Sequence, residues 1–170
     1  MSNAATATLK SIATDHHIDT GVKQRDRKAL ANKLAEALSD SYLLYLQTQN
    51  VHWNVVGPLF YSIHEMTEKQ YLDMAEAIDD IAERIRAIGF RAPGTVSEFL
   101  KLTEMTEDAT TTEANQMIEM LVRGNELCAK RLRKAVIEAE RVDDVKTADL
   151  LTERIGQHEE NAWMLRSLNA

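Results

Sequence analysis

The sequence predicts an all-α protein: a four-helix bundle with a short extra helix in the long connection between helices 2 and 3. Three observations carry this. The 170 residues include only six glycines and two prolines, and Ala, Leu, Glu, Arg and Met, which favour helix, abound. Four long stretches repeat apolar residues at intervals of three and four, the period of an amphipathic helix. Breaks at Gly57-Pro58, Gly89 and Pro93-Gly94, and a charged stretch from Glu138 to Lys146, separate them.

Residues 1–22 lack a helical period and read as a flexible tail, leaving 23–170 as one folded domain. His16 and His17 lie in that tail as an adjacent pair. The first helix is expected from about Arg25 to Val55, with Leu30, Leu34, Leu38, Tyr42 and Leu46 inward and Leu43 and Leu44 widening the stripe. Gly57 suits a helix end and Pro58 the start of the next. The second helix should run from about Leu59 to Ile88 and stop at Gly89. The connection from Phe90 to about Thr110 is long enough to pack over something, with Ser97 to Leu100 forming one short helical turn. Thr110-x-x-Glu113 reads as a capping box for the third helix, whose inward positions are Ile118, Leu121, Val122, Leu127, Leu132 and Val136. The fourth is expected over about Thr147 to Leu168, with Leu150, Leu151, Ile155, Ala162 and Leu165 inward. Gly124 and Gly156 inside helices suggest close helix contacts, since each costs about 1 kcal/mol against Ala.

Composition excludes several classes. With 44% hydrophobic and 28% charged residues the chain is an ordinary globular one. No apolar run reaches the roughly 20 residues of a membrane span, and no basic segment precedes an apolar leader. The single Cys128 cannot form an internal disulfide, which points to the cytoplasm. A net charge of −7 argues against a surface that coats nucleic acid, where affinity comes from neutralising phosphates.

Metal chemistry is the informative part. Bundles that hold two metals in their core use Glu-x-x-His pairs. Here His64 is preceded three places earlier by Tyr61 and His158 by Ile155, so a core site is not supported. On the second helix, His64, Glu68, Asp79 and Glu83 fall within about 100° of one another, on one face. His64 and Glu83 are nonetheless about 28 Å apart along the axis. One copy cannot bring them to one ion, but two antiparallel copies can. The residue numbers of His64 and Glu83 sum to 147, as do those of Glu68 and Asp79. One two-fold register, centred near Asp73 and Met74, therefore brings both pairs together, as an isologous interface requires. Two equivalent sites follow, each with ligands from both subunits. Asp79 and Glu83 repel at i, i+4 unless a cation lies between them. The competing reading is a solvated acidic face using Arg84 and Arg86 as partners, with His52 a packed core histidine. Imidazole with carboxylate suits iron(II), zinc or manganese.

These residues resemble the Dps family, the mini-ferritins named as DNA-binding proteins from starved cells. The matching blocks are His52-Trp53-Asn54-Val55-x-Gly57-Pro58, Leu59-Phe60-x-x-Ile63-His64-Glu65 and Asp79-x-Ile81-Ala82-Glu83-Arg84-Ile85, with Thr147-Ala148-Asp149-Leu150-Leu151, His158-Glu159 and Trp163-Met164-Leu165-Arg166. The resemblance covers about residues 25–170. It implies a ferritin-like bundle assembled twelve at a time into a hollow cage. Such a cage oxidises iron(II), typically with hydrogen peroxide, and stores the ferric product, limiting oxidative damage. It implies that His52, His64, Asp79 and Glu83 are the ferroxidase ligands, shared across a two-fold dimer. Glu68 occupies a position usually held by Asp, and Trp53 stands beside the site. The family's acidic three-fold pores match Asp144 and Asp149, with Glu140 nearby; the other reading is acids placed to suit a helix N-terminus. DNA-binding members use Lys/Arg-rich tails, whereas Lys10 is the one basic residue before Gly21. Weak or absent DNA binding is expected. Two alternatives stand beside the iron cage: a DNA protector and a metal-free assembly protein.

Overall fold

A computed structural model describes residues 18–106 and 112–169. The tail up to residue 17, with His16 and His17, lies outside the described residues, as does Thr110. Five helices follow in order: α1 (Gln24–Asn54), α2 (Phe60–Ala87), α3 (Val96–Leu102), α4 (Ala114–Arg141) and α5 (Val145–Leu168). The four long ones form the bundle and α3 is the short extra helix. α1 packs against α2, α4 and α3; α4 and α5 lie along each other; α2 and α5 touch only lightly.

The core lies in two apolar layers. One joins Leu30, Leu34 and Leu38 to Ile81, Ile85, Leu132 and Leu151. The other joins Leu44, Val51, Ile63 and Met74 to Ile118, Leu121 and Leu165. Leu46 does not belong to either: it is 45% exposed. Each step of four residues advances about 40° beyond a full turn, so from Leu30 to Leu46 the stripe drifts about 160° and leaves the core. Thr48, Val51 and Val55 take its place.

The helix ends show what local chemistry decides. Gly89 has φ +98, and the amides of Phe90 and Gly89 bond to the Ile85 and Arg86 carbonyls at 3.1 and 3.0 Å, closing α2 with a Schellman motif. α3 starts in a true capping box, Thr95 with Glu98, which reading Ser97 as its start had passed over. At α4, by contrast, Glu113 is itself the N-cap and its side chain makes no cap bond; it is not the third residue of a box opened at Thr110. The charged stretch from Glu138 is no linker. Helix α4 continues to Arg141 because Ala139 is fully buried and Glu138 pairs with Arg141. The turn to α5 then takes only residues 142–144, with Asp143 at φ 58. Gly124 does mark a close contact, since a Cβ there would lie 2.6 Å from the Leu44 side chain; Gly156 marks none, with nothing within 4 Å.

Candidate metal centre

The α1–α2 turn makes the site. α1 ends at Asn54, the chain turns through Gly57 at φ +96, and α2 returns alongside α1. A Cβ at Gly57 would meet nothing within 4 Å, so glycine is needed there for its backbone angle and not for space. The return brings His52, in the last turn of α1, face to face with His64, in the second turn of α2. Their rings stack with centroids 3.8 Å apart and planes 17° from parallel.

Each histidine is held by the other's backbone. His52 Nδ1 donates to the His64 carbonyl at 3.0 Å, and His64 Nδ1 donates to the His52 carbonyl at 2.9 Å. The His52 carbonyl belongs to the last turn of α1, where carbonyls have no partner within the helix. Because a carbonyl can only accept, each Nδ1 must carry the proton. In the neutral imidazole, Nε2 is then the nitrogen with the lone pair that can bind a metal ion. Thr67 adds a further bond to the His64 carbonyl at 3.1 Å. His52 is only 7% exposed and His64 half-buried. Tyr71 sets its ring edge-on to His52, centroids 5.2 Å apart, and Phe60 stacks on His64 at 5.1 Å.

Glu68 sits one turn beyond His64 and is half-buried, while Asp79 and Glu83 are exposed further along the same helix. α2 is continuous over Phe60–Ala87, so the axial separation of about 28 Å between His64 and Glu83 stands. Among the described residues no three His, Cys, Asp or Glu side chains converge on one point. One copy of the chain thus brings the two histidines together and leaves Asp79 and Glu83 apart from them. Nor do those acids have cationic partners among the described residues. Arg84, which the competing reading assigned to them, turns away: its Nε donates to Thr147 at 2.7 Å and its Nη2 to Asp144 at 2.6 and 2.8 Å.

The surface around the histidines is apolar and open. Trp53 is 68% exposed, Tyr61 72%, Val56 69% and Leu72 56%. Large aromatic and aliphatic side chains left bare together mark a contact surface.

Asp144 is spent within the chain. It caps α5 through the Thr147 amide at 3.1 Å and is buried against Arg84. Burial pushes its carboxyl up, but Arg84 and the Thr147 amide outweigh that and hold it below the usual carboxylate range. The helix-cap reading describes Asp144, and its carboxylate is not offered to solvent. Glu140 and Asp149 remain exposed, Asp149 within 3.6 Å of Lys146.

Thr67 is the site residue that sequence reasoning did not single out. It lies at helical spacing from His64, three residues on, and that spacing was the available signal.

A family model for the ferritin-like domain matches residues 31–170. DNA protection during starvation protein 2 of Bacillus anthracis is 36% identical over 82% of this chain and 96% of its own. An uncharacterised low temperature-induced protein of Nostoc sp. is 40% identical over 88% of this chain and 85% of its own. Among solved structures, a Dps protein from Vibrio cholerae O1, described as a member of a broad superfamily of ferritin-like diiron-carboxylate proteins, superposes with a TM-score of 0.86 at 25% identity, covering 93% of this chain and all of that one. A Dps protein from Bacillus brevis gives 0.83 at 29% identity, covering 87% and 99%.

Proposed function

The chain belongs to the Dps family of ferritin-like proteins, and from that premise we propose that it is a ferroxidase: it oxidises iron(II), with hydrogen peroxide as oxidant, and stores the ferric product in a hollow cage of twelve subunits. The observation that carries this reading is the reciprocal bonding of His52 and His64, which commits both Nδ1 atoms to backbone carbonyls and leaves Nε2 as the metal-binding nitrogen of each ring. That no cation among the described residues pairs with Asp79 or Glu83 supports it further.

In this reading a second copy packs antiparallel on α2 and supplies what one copy lacks. His52 and His64 of one subunit face Asp79 and Glu83 of the other, with Glu68 across from Asp79. The exposed apolar side chains around Trp53, Tyr61 and Leu72 become the buried interface. Iron is the substrate. Two neutral imidazoles bind it through nitrogen, and two carboxylates cancel its charge and stabilise the ferric state as it forms. Their mutual repulsion at i, i+4 is relieved by the cation. The same donors suit zinc(II) and manganese(II), which would compete with iron. Asp149 and Glu140 are proposed as acids lining the entry pores. The buried, free Cys128 suits a reducing cytoplasm, and among the described residues no helix is long and apolar enough to cross a membrane.

The test is ferric absorbance after adding iron(II) and peroxide to wild type and to the double variant His52→Ala/His64→Ala. The variant should lose fast oxidation; equal rates would sink the ferroxidase reading. An iron-soaked crystal tests the geometry, since metal inside a single bundle, away from the two-fold axis, would refute the shared site.

Relatives are named for DNA protection, so a gel shift with duplex DNA belongs beside these assays. With net charge −7 and Lys10 alone before Gly21, no tight binding is expected at moderate salt.

A further inference from the structure

Between α4 and α5 lies a cleft of about 300 Å3 whose walls come from those two helices alone, apart from His52 and His64. The small side chains of Ala129 and Ala162 leave the space. His158 is its most buried member, 1% exposed.

A chain of bonds fixes the polarity of that histidine. The Leu121 carbonyl can only accept, so Asn125 turns its amide nitrogen to it, at 2.8 Å. Asn125 Oδ1 is thereby left to meet His158 Nδ1, at 2.9 Å. An amide oxygen accepts, so Nδ1 holds the ring proton. Burial, with Arg154 nearby, keeps the imidazole neutral. Nε2 then carries a lone pair, and no described residue donates to it. The inner end of the cleft thus presents an acceptor that lacks a donor.

The charged residues around it ask for the opposite. Arg133 pairs with Glu159 and Arg166 with Glu126. Each arginine does so through Nη2, which leaves the other donors of its fork free. Lys130 is exposed and has no carboxylate partner among the described residues. Three cations against two carboxylates leave one net positive charge around the cleft. Exposed pairs of this kind are weak and yield readily to a competing anion.

A ligand that satisfies both ends must bring an O–H to His158 and anionic oxygens to the cations. Sulfate and simple carboxylates have the oxygens but no O–H at neutral pH. A phosphodiester has none either, and a phosphomonoester has largely lost its own above a second pKa of about 6. Inorganic phosphate keeps at least one. Its doubly charged form also has three bare oxygens, one for each of Lys130, Arg133 and Arg166. We propose that the α4–α5 cleft is a binding site for inorganic hydrogen phosphate, which donates its O–H to His158 Nε2 and turns its other oxygens to Lys130, Arg133 and Arg166. The site goes beyond the ferroxidase reading and does not rest on it.

The experiment is equilibrium dialysis of the intact oligomer against radiolabelled phosphate, at neutral pH and fixed ionic strength in chloride. Wild type should bind phosphate saturably, one ion per chain, and excess sulfate should not displace it. Lys130→Gln is an exposed change that leaves the core alone. It should weaken phosphate binding roughly fivefold, the upper worth of an exposed charge pair. His158→Phe keeps a ring but has no Nε2 and should abolish binding. Because it also strands Asn125, its fold is checked by circular dichroism, and Lys130→Gln carries the test if it fails to fold. A phosphate-soaked crystal should place the ion within hydrogen-bond distance of His158 Nε2. Displacement by sulfate as readily as by unlabelled phosphate would overturn the proposal and leave only an unselective basic patch. So would binding undiminished in Lys130→Gln, or no saturable binding in wild type. Each of these results leaves iron oxidation at His52 and His64 to be judged by its own assay.

Discussion

The bundle interior and the outer face of α2 are both rich in carboxylates, and they treat them in opposite ways. Inside, Asp40 is fully buried and accepts from Arg131 at 2.7 Å, from Thr103 at 2.7 Å and from the Glu104 amide at 2.9 Å. At the margin of the bundle, the partly exposed Asp73 is gripped by the buried Arg154 at 2.8 and 3.1 Å. His158 donates from Nδ1 to Asn125 Oδ1 at 2.9 Å, while the Asn125 amide nitrogen donates to the Leu121 carbonyl at 2.8 Å. The chain supplies its own cations there, at the place where other bundles of this shape hold metals. On the outer face, Glu68, Asp79 and Glu83 have no arginine or lysine partner among the described residues, and His64 lies on the same helix. The difference teaches that a carboxylate's role is read from what neutralises it. Interior acids serve the fold; the outer ones are left without a neutralising partner among the described residues, as the proposed shared metal site requires.

The comparison can be broken where it predicts the largest effect. Asp40→Ala removes one member of a buried pair and strands the Arg131 guanidinium, which should cost about 3–5 kcal/mol. A drop in thermal unfolding midpoint no larger than that of an exposed substitution would contradict the interior role. Iron oxidation by the protein that remains folded should persist.

Protons give a sharper test of the interior. Burial, with Arg154 nearby, pushes the His158 imidazole down to about 3, so it stays neutral in the fold and takes up a proton in the unfolded chain below about 6.5. Stability from this group is complete above pH 6.5 and is lost as pH falls from there towards 3. Between pH 7 and 5 the loss should be about 2 kcal/mol. His158→Gln should flatten the acid dependence of the unfolding midpoint over that range; an unchanged slope would show that this histidine is not the proton acceptor.

The smallest stability change belongs to the outer face. Asp79→Asn and Glu83→Gln in the metal-free protein should shift stability by no more than about 0.5 kcal/mol, in the stabilising direction because a like-charge pair is relieved. Both should nonetheless weaken iron binding measured by titration calorimetry. Strong destabilisation with unchanged iron binding would invert the comparison.

Much of this was legible beforehand. Apolar spacing gave four helices, and Gly57, Gly89 and Pro93-Gly94 gave three of the breaks, because helix geometry and positive φ are local properties. Leu46 was misjudged because a strict four-residue repeat drifts around the helix. The stretch from Glu138 was misjudged because a charged sequence stays helical when Ala139 beneath it is buried. Thr95 as a cap was missed although Thr-x-x-Glu stood in the chain, because another such match at Thr110 to Glu113 looked equally good. Which of the two closes a box depends on where the backbone turns.

By itself the sequence determined the helical architecture and the residue types on the outer face of α2, and the 28 Å along the helix that rules out a site within one copy follows from helix geometry alone. Only the tertiary structure decided how those residues are held. The stacking of His52 on His64, the bond from each Nδ1 to the other's carbonyl and the diversion of Arg84 to Asp144 all join residues from different parts of the fold. Helical period says which way a side chain points, but it cannot say what it meets across a turn, because that depends on how two helices are brought together.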